Sequence, residues 1–482
     1  MMILFLIEIY LLGWAIASFF REKLSAFFLA FLAVLLGLFG FFINVVILSL
    51  FNVRISALLL AILLGGELIL LILIKWLISR QTFFKFKVAD LWYVAAGALF
   101  TAGCWAFSLS GPIFATTDSL YLVIMGRNIL ETGFLEWYFA SPLQWGVFVP
   151  VLQTLGMLFG YDYTWFIQPI ISATFLVLFA FVLYKASSKI SSHKFLPIVL
   201  TILGIGLLVS SRLYWAAQFY IHTNLDTAIS LFLVITALYF AIQDGEDGWL
   251  GIAGIFMIML GMVRIENVIL AALIIVLTVA TREVVHKKLL WTFLPYLFFQ
   301  IVFNLAMIVI SPVGFSDLLS FSQLKMVTVG LVGLVIFLSI ADFPTIQKKL
   351  VTKLNLVVVV GISAALVGVF LLKPEKIFLD TWDNLYTMFG TGQWFATFWG
   401  CMLLLLLVKA RDKNSMVHFI NIFIYAFFSM IIILGYFKGN YHNAWYDSAN
   451  RMYIHILPIL LFYLSIKISS NHSLSGASER IQ

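Results

Sequence analysis

The sequence predicts an all-α polytopic membrane protein with about 13–15 transmembrane helices, on three observations. The first is composition. Hydrophobic residues make up 63% of 482 and charged residues 11%, against roughly a quarter charged in an ordinary soluble domain. The mean hydropathy is +1.08. A soluble globule must cover itself with polar groups, whereas lipid tails solvate apolar side chains directly. The second is the recurrence of long apolar runs. The third is that the basic residues bunch in alternate connections between those runs.

Taken in order, the apolar runs lie at 2–20, 24–50, 55–79, 88–110, 164–184, 195–212, 226–243, 249–263, 266–281, 289–311, 325–342, 354–372, 392–410, 415–436 and 451–468. The run at 2–20 has no basic leader and no small-residue cleavage site, so it reads as a retained span. The runs at 249–263 and 266–281 are each short for a hydrocarbon core of about 30 Å, and one broken helix would account for them equally well.

The connections order these spans. Arg21/Lys23, Arg80/Lys85/Lys87, Lys185/Lys189/Lys194, Arg282/Lys287/Lys288, Lys348/Lys349/Lys353 and Lys409/Arg411/Lys413 fall in alternate connections, and Lys467 and Arg480 in the tail. Together they hold about 19 of the 29 basic residues, and the positive-inside rule assigns them to the cytoplasm. The formal charge of +7 is thus an orientation signal, and no nucleic-acid partner is expected. The same rule puts the N-terminus outside and the C-terminus inside. Cys104 and Cys401 support neither a disulfide framework nor a metal cluster. No Walker A motif and no G-x-G-x-x-G opening a βαβ unit is present.

Polar, non-helical sequence gathers in the opposite connections, the largest at 111–163. Asp118 can cap a helix starting at Ser119, with Tyr121, Arg127 and Asn128 following at helical spacing and Gly133 ending it. That pattern predicts an amphipathic helix on the membrane surface, and Ser141 to Gly156 predicts a second. A cap at Asp118 and a headgroup contact at Arg127 are the plain alternative.

Three further constellations carry chemistry. Arg264, Glu266 and Asn267 sit between two short apolar runs, where an unpaired charge costs a few kcal/mol. They either pair structurally or line a polar cavity. His222, Asn224 and Asp226 stand at the outer end of a span and could bind a sugar, metal or phosphate, or simply cap a helix. Arg451 enters the last span from outside, with Tyr453 and Pro458 behind it. Its planar fork suits a phosphate, and snorkelling to headgroups is the alternative.

The order of these segments resembles the GT-C superfamily of membrane glycosyltransferases, which includes protein O-mannosyltransferases and aminoarabinose transferases. Asp118-Ser-Leu-Tyr121 through Gly133 and Ser141-Pro142-Leu143 is similar to the first external loop of that group. Phe159-Gly160 is similar to its exit from the loop. Leu260-Gly-Met-Val-Arg264-Ile-Glu266 is similar to its Thr-Arg-Pro-Glu-Gly break. Arg451-Met-Tyr453 with Leu457-Pro458 is similar to its final segment. The resemblance covers 88–468, preceded by accessory spans in 1–87 and followed by a cytoplasmic tail at 469–482. Ile265 and Asn267 depart from the usual Pro and Gly. No Asp-x-Asp pair stands in the first loop, which leaves a divalent-metal requirement open.

The resemblance implies a polyprenyl-phosphate sugar donor and a lipid, glycan or protein acceptor, handled amid membrane lipids on the extracytoplasmic side of a prokaryotic plasma membrane. It implies Asp118 as the catalytic carboxylate and Arg264, Arg451 and Arg212 as ligands of the donor phosphate. Glu266, Tyr121, Arg127, His222, Asp226 and Tyr453 would support them. The rival reading is a transporter or flippase of a lipid-linked or amphipathic substrate, which would also need many spans, buried charges and a broken helix.

Overall fold

The computed structural model describes residues 1–20, 24–51, 53–79, 117–132, 146–211, 220–281, 286–310, 321–341, 353–376, 394–408, 415–438 and 446–478, with isolated positions such as Tyr214 and Gln218. Among these residues every element is a helix. Eight helices are long and apolar enough to cross a membrane, as an integral membrane protein requires. The expected run at 88–110 lies almost wholly outside the described residues.

The chain opens with α1 (Met2–Ser18) and α2 (Ala26–Leu50). They cross at close range because Gly13 and Gly37 have no side chain. A Cβ at Gly13 would strike the Ala33 carbonyl, and one at Gly37 the Ile9 carbonyl. Small residues let backbones approach where lipid offers no hydrophobic drive for association. Phe side chains fill the remaining space. Phe28 on α2 meets Phe181 on α6 (Ile167–Ile190) at 5.1 Å and Trp249 on α9 (Asp247–Val263) at 5.2 Å. The third helix, α3 (Ala57–Ser79), lies at the periphery with Leu58, Ile62 and Ile78 exposed, the surface a bilayer solvates.

Two helices of the first large connection follow, α4 (Thr117–Thr132) and α5 (Phe148–Met157). The structure corrects the sequence reading of this region in two respects. The helix begins at Thr117, so Asp118 lies in its first turn rather than capping it. And α5 is no surface helix, because Phe148 through Gly156 are all buried. Its Phe-Val-Pro-Val-Leu sequence is apolar on every side, and Phe42 of α2 packs on Phe148 at 5.2 Å. The expected ends at Gly133 and Ser141 lie outside the described residues.

Beyond α6 and α7 (Leu196–Ser210) comes the central helix, α8 (Asn224–Asp244), buried from Asn224 to Ala241. A helix enclosed on all sides must hide its polar groups. Ser230 and Thr236 do so by donating to the carbonyls of Asp226 (2.8 Å) and Phe232 (2.7 Å). Phe232 sets its packing, with Phe175 of α6 at 5.5 Å and Phe462 of the last helix at 6.1 Å.

The short pair α9 and α10 (Asn267–Thr281) is a hairpin, not one broken helix. Lys288, at the start of α11 (His286–Ile310), bonds Asp247 at 2.8 Å, so the chain leaves α10 at the end where it entered α9. Lys185 and Lys189 of α6 pair with Asp244 at that same end. The basic connections 185–194 and 282–288 therefore share one end of the bundle, and the turn at 264–266 lies at the other. The remaining helices are α12 (Phe321–Ile340), α13 (Leu354–Leu372), α14 (Phe395–Leu407), α15 (Ser415–Lys438) and α16 (Tyr446–Ser478). Of these α16 is embedded beside α8, whereas α13 is mostly exposed.

Candidate functional site

Four pieces of chain meet at the end of the bundle remote from the lysine connections: the start of α4, the segment 220–224 leading into α8, the turn between α9 and α10, and α16. Each delivers a polar side chain. Ser119 ties α4 to the second piece by donating to the Ile221 carbonyl at 3.1 Å. The Tyr220 hydroxyl donates to Asp118 Oδ2 at 3.3 Å, and His222 Nε2 lies 3.6 Å from the same oxygen. The Tyr220 and His222 rings are stacked, 5.0 Å apart and 9° from parallel. Two side chains from alternate residues thus converge on one carboxylate oxygen.

The run continues through Asn224. Its backbone N–H donates to His222 Nδ1 at 3.3 Å. Its side-chain Oδ1 accepts from Arg264 Nη1 at 2.9 Å and from His455 Nε2 at 3.1 Å. Arg264 in turn donates from Nε to Glu266 Oε1 at 2.6 Å, and its Nη2 lies against that same oxygen. The Arg264 side chain is only 14% exposed. Of its five N–H groups, at least one on each terminal nitrogen is left over by these partners.

The helix break is built to hold that arginine. Arg264 is extended, at φ −149 and ψ 139, which stops α9. Breaking a helix orphans carbonyls, and Asn267 satisfies one by donating to Leu260 O at 2.9 Å while also reaching Thr227 of α8 at 3.1 Å. The chain entering α5 docks on the same turn. Val147 N–H donates to Met262 O at 3.0 Å. Gly146 has φ +69, and a Cβ there would collide with the Met262 and Val263 carbonyls.

The sequence-predicted residues divide accordingly. Asp118, His222, Arg264 and Glu266 are brought together. Asp226 is not: it is buried a turn deeper, accepts from Gln168 at 3.1 Å, and its other oxygen has no partner among the described residues. Tyr214 has a buried hydroxyl, and burial pushes its phenol up, against a lowering by Ser172. Arg127 is half exposed and pairs with Asp162 at 3.6 Å instead. Tyr121 is exposed on α4. Tyr453 faces an aromatic pocket, 5.2 Å from Trp394 and 5.4 Å from Phe398. Arg212 and the Arg451 side chain lie outside the described residues. The helix-cap reading of Asn224 or Asp226 is corrected, since Thr223 holds the N-cap position, the Asn224 side chain turns to Arg264 and His455, and Asp226 accepts from Gln168.

Sequence reasoning gave no role to Tyr220 or His455. The one signal for His455 is an imidazole inside a long apolar run, which is costly without a partner. Tyr220 carried none, because interfacial tyrosines are common. Among the described residues no group of three His, Cys, Asp or Glu side chains gathers as a metal site. No family model, no curated protein and no solved structure matches this chain.

Proposed function

We propose that this chain is a membrane glycosyltransferase that moves a sugar from a polyprenyl-phosphate donor to an extracytoplasmic acceptor. The observation that carries the reading is the run of polar contacts from Asp118 to His222, 3.6 Å away, and on through hydrogen bonds by Asn224 to Arg264. It sets a half-buried carboxylate and a largely desolvated guanidinium on one rim, the two groups such a displacement needs. Asp118 takes the proton of the acceptor hydroxyl as that oxygen attacks the anomeric carbon. The bond from that carbon to the phosphate oxygen breaks, and the electron pair leaves with the phosphate. Arg264 meets that charge with its remaining N–H groups, a planar fork being suited to two oxygens at once. Glu266 and Asn224 hold the fork in orientation. A single displacement inverts the anomeric centre.

A GT-C-like arrangement of about 13–15 spans goes with this reading, with 88–468 as the catalytic part and 1–87 as accessory helices. So does placement of the rim outside a prokaryotic plasma membrane, opposite the basic connections. The transporter reading is less well supported, because transport sites form near the bilayer midplane and these polar groups gather at the helix ends.

The test is donor consumption. The protein in nanodiscs is offered a panel of radiolabelled undecaprenyl-phosphate and dolichyl-phosphate monosaccharides, and release of the polyprenyl phosphate is followed. Turnover of one donor is expected, with a loss of about a hundredfold or more in Asp118→Asn. Turnover of none, or an Asp118→Asn variant as fast as the parent, overturns the proposal.

A further inference from the structure

We infer that His222 is a positioning residue for Asp118, locked in one neutral tautomer and unable to relay a proton. The inference rests on Asp118 serving as the base of the proposed transfer. It starts from the 3.3 Å bond between Asn224 N–H and His222 Nδ1. A backbone N–H is always a donor, so Nδ1 must be the bare, accepting nitrogen. In a neutral imidazole the proton then sits on Nε2, the atom that faces Asp118 Oδ2 at 3.6 Å. Protonating Nδ1 would set two N–H groups against each other in a site where His222 is 5% exposed.

Consequences follow for the chemistry. A histidine that shuttles protons needs both nitrogens in play, one receiving and one releasing. Here one nitrogen is committed to the main chain two residues away. His222 therefore faces Oδ2 with a fixed N–H from 3.6 Å, and Tyr220, stacked on its ring at 5.0 Å, donates a hydrogen bond to the same oxygen. The Tyr220 hydrogen bond and the His222 N–H facing the same oxygen restrain the carboxylate's orientation toward the acceptor hydroxyl. The proton taken up from the acceptor stays on Asp118 until the product departs.

Two measurements on the full-length protein test this. In protein labelled with ¹⁵N-histidine, the ring signals that vanish in His222→Gln should report a bare Nδ1 and a protonated Nε2, unchanged as pH is varied across neutrality. A protonated Nδ1, or an imidazole that titrates there, overturns the inference. The second measurement is kinetic, with the donor found to turn over. Gln offers a side-chain N–H near the place of Nε2 and no proton-relay chemistry. His222→Gln should stay within about threefold of the parent, while His222→Ala loses about tenfold to a hundredfold in kcat with KM little changed, the kinetic equivalent of one hydrogen bond to a charged group. A Gln variant as poor as Ala, or an Ala variant as good as the parent, overturns it. An active Asp118→Asn variant defeats the transfer reading instead and leaves the tautomer result standing.

Discussion

Asn224 and Arg264, 40 residues apart in sequence, share a 2.9 Å hydrogen bond from guanidinium Nη1 to amide Oδ1. The bond joins the start of the central helix to the tip of the α9–α10 hairpin. The same amide oxygen also takes His455 Nε2 from α16, so one side chain secures three helices at the rim.

Asn224→Ala removes that acceptor but keeps the backbone N–H that fixes His222. Arg264 then loses one of its two anchors, and its remaining fork is free to turn. Affinity for undecaprenyl phosphate should fall by about tenfold to a hundredfold, the range expected for a hydrogen bond to a charged group. Thermophoresis of labelled protein against the lipid phosphate measures it, and unchanged affinity would remove Asn224 from the phosphate site.

Arg264→Lys separates charge from geometry. An ammonium keeps the positive charge but cannot serve Glu266, Asn224 and two phosphate oxygens from one plane. Donor turnover should drop by at least about tenfold despite the conserved charge. A lysine variant at parental rate would mean that only net charge matters at this position.

Gly146→Ala meets both a backbone and a contact penalty. Its φ of +69 disfavours any side chain, and the new Cβ would strike the Met262 and Val263 carbonyls. Gly160 is the natural control, with φ +86 but nothing within 4 Å of a Cβ. Both variants carry the backbone cost of about 1–3 kcal/mol, so Gly146→Ala should melt lower than Gly160→Ala by thermal scanning fluorimetry. Equal melting points would show that the 146–147 segment does not bear on the hairpin turn.

Orientation is open to a labelling experiment. Asp162 is exposed beside Arg127 at the site end, and His193 is exposed near the lysine connections. In a background lacking Cys104 and Cys401, a cysteine at 162 should react with an impermeant maleimide added outside intact cells. A cysteine at 193 should react only after permeabilisation. The reverse pattern would put the site on the cytoplasmic face and end the extracytoplasmic proposal.

Much of this arrangement was legible before any coordinates. Apolar run length marked α2, α3, α6, α8 and the others because the transfer of a segment into lipid is a sum over its own side chains. The alternation of Lys and Arg anticipated that 185–194 and 282–288 share an end, which the Lys189–Asp244 and Lys288–Asp247 pairs bear out. Asp118, His222, Arg264 and Glu266 stood out because charge or imidazole beside an apolar run is costly and so calls for a partner. Those properties are local, and the sequence by itself determined them. Tertiary structure alone decided the partners. Whether α9 and α10 fold back, that α5 is buried, that Asn224 reaches Arg264 and that His455 arrives from 231 residues away all depend on which helix ends meet. A hydrogen bond is a matter of tenths of an ångström between groups distant in sequence, and no property of either segment alone encodes that separation.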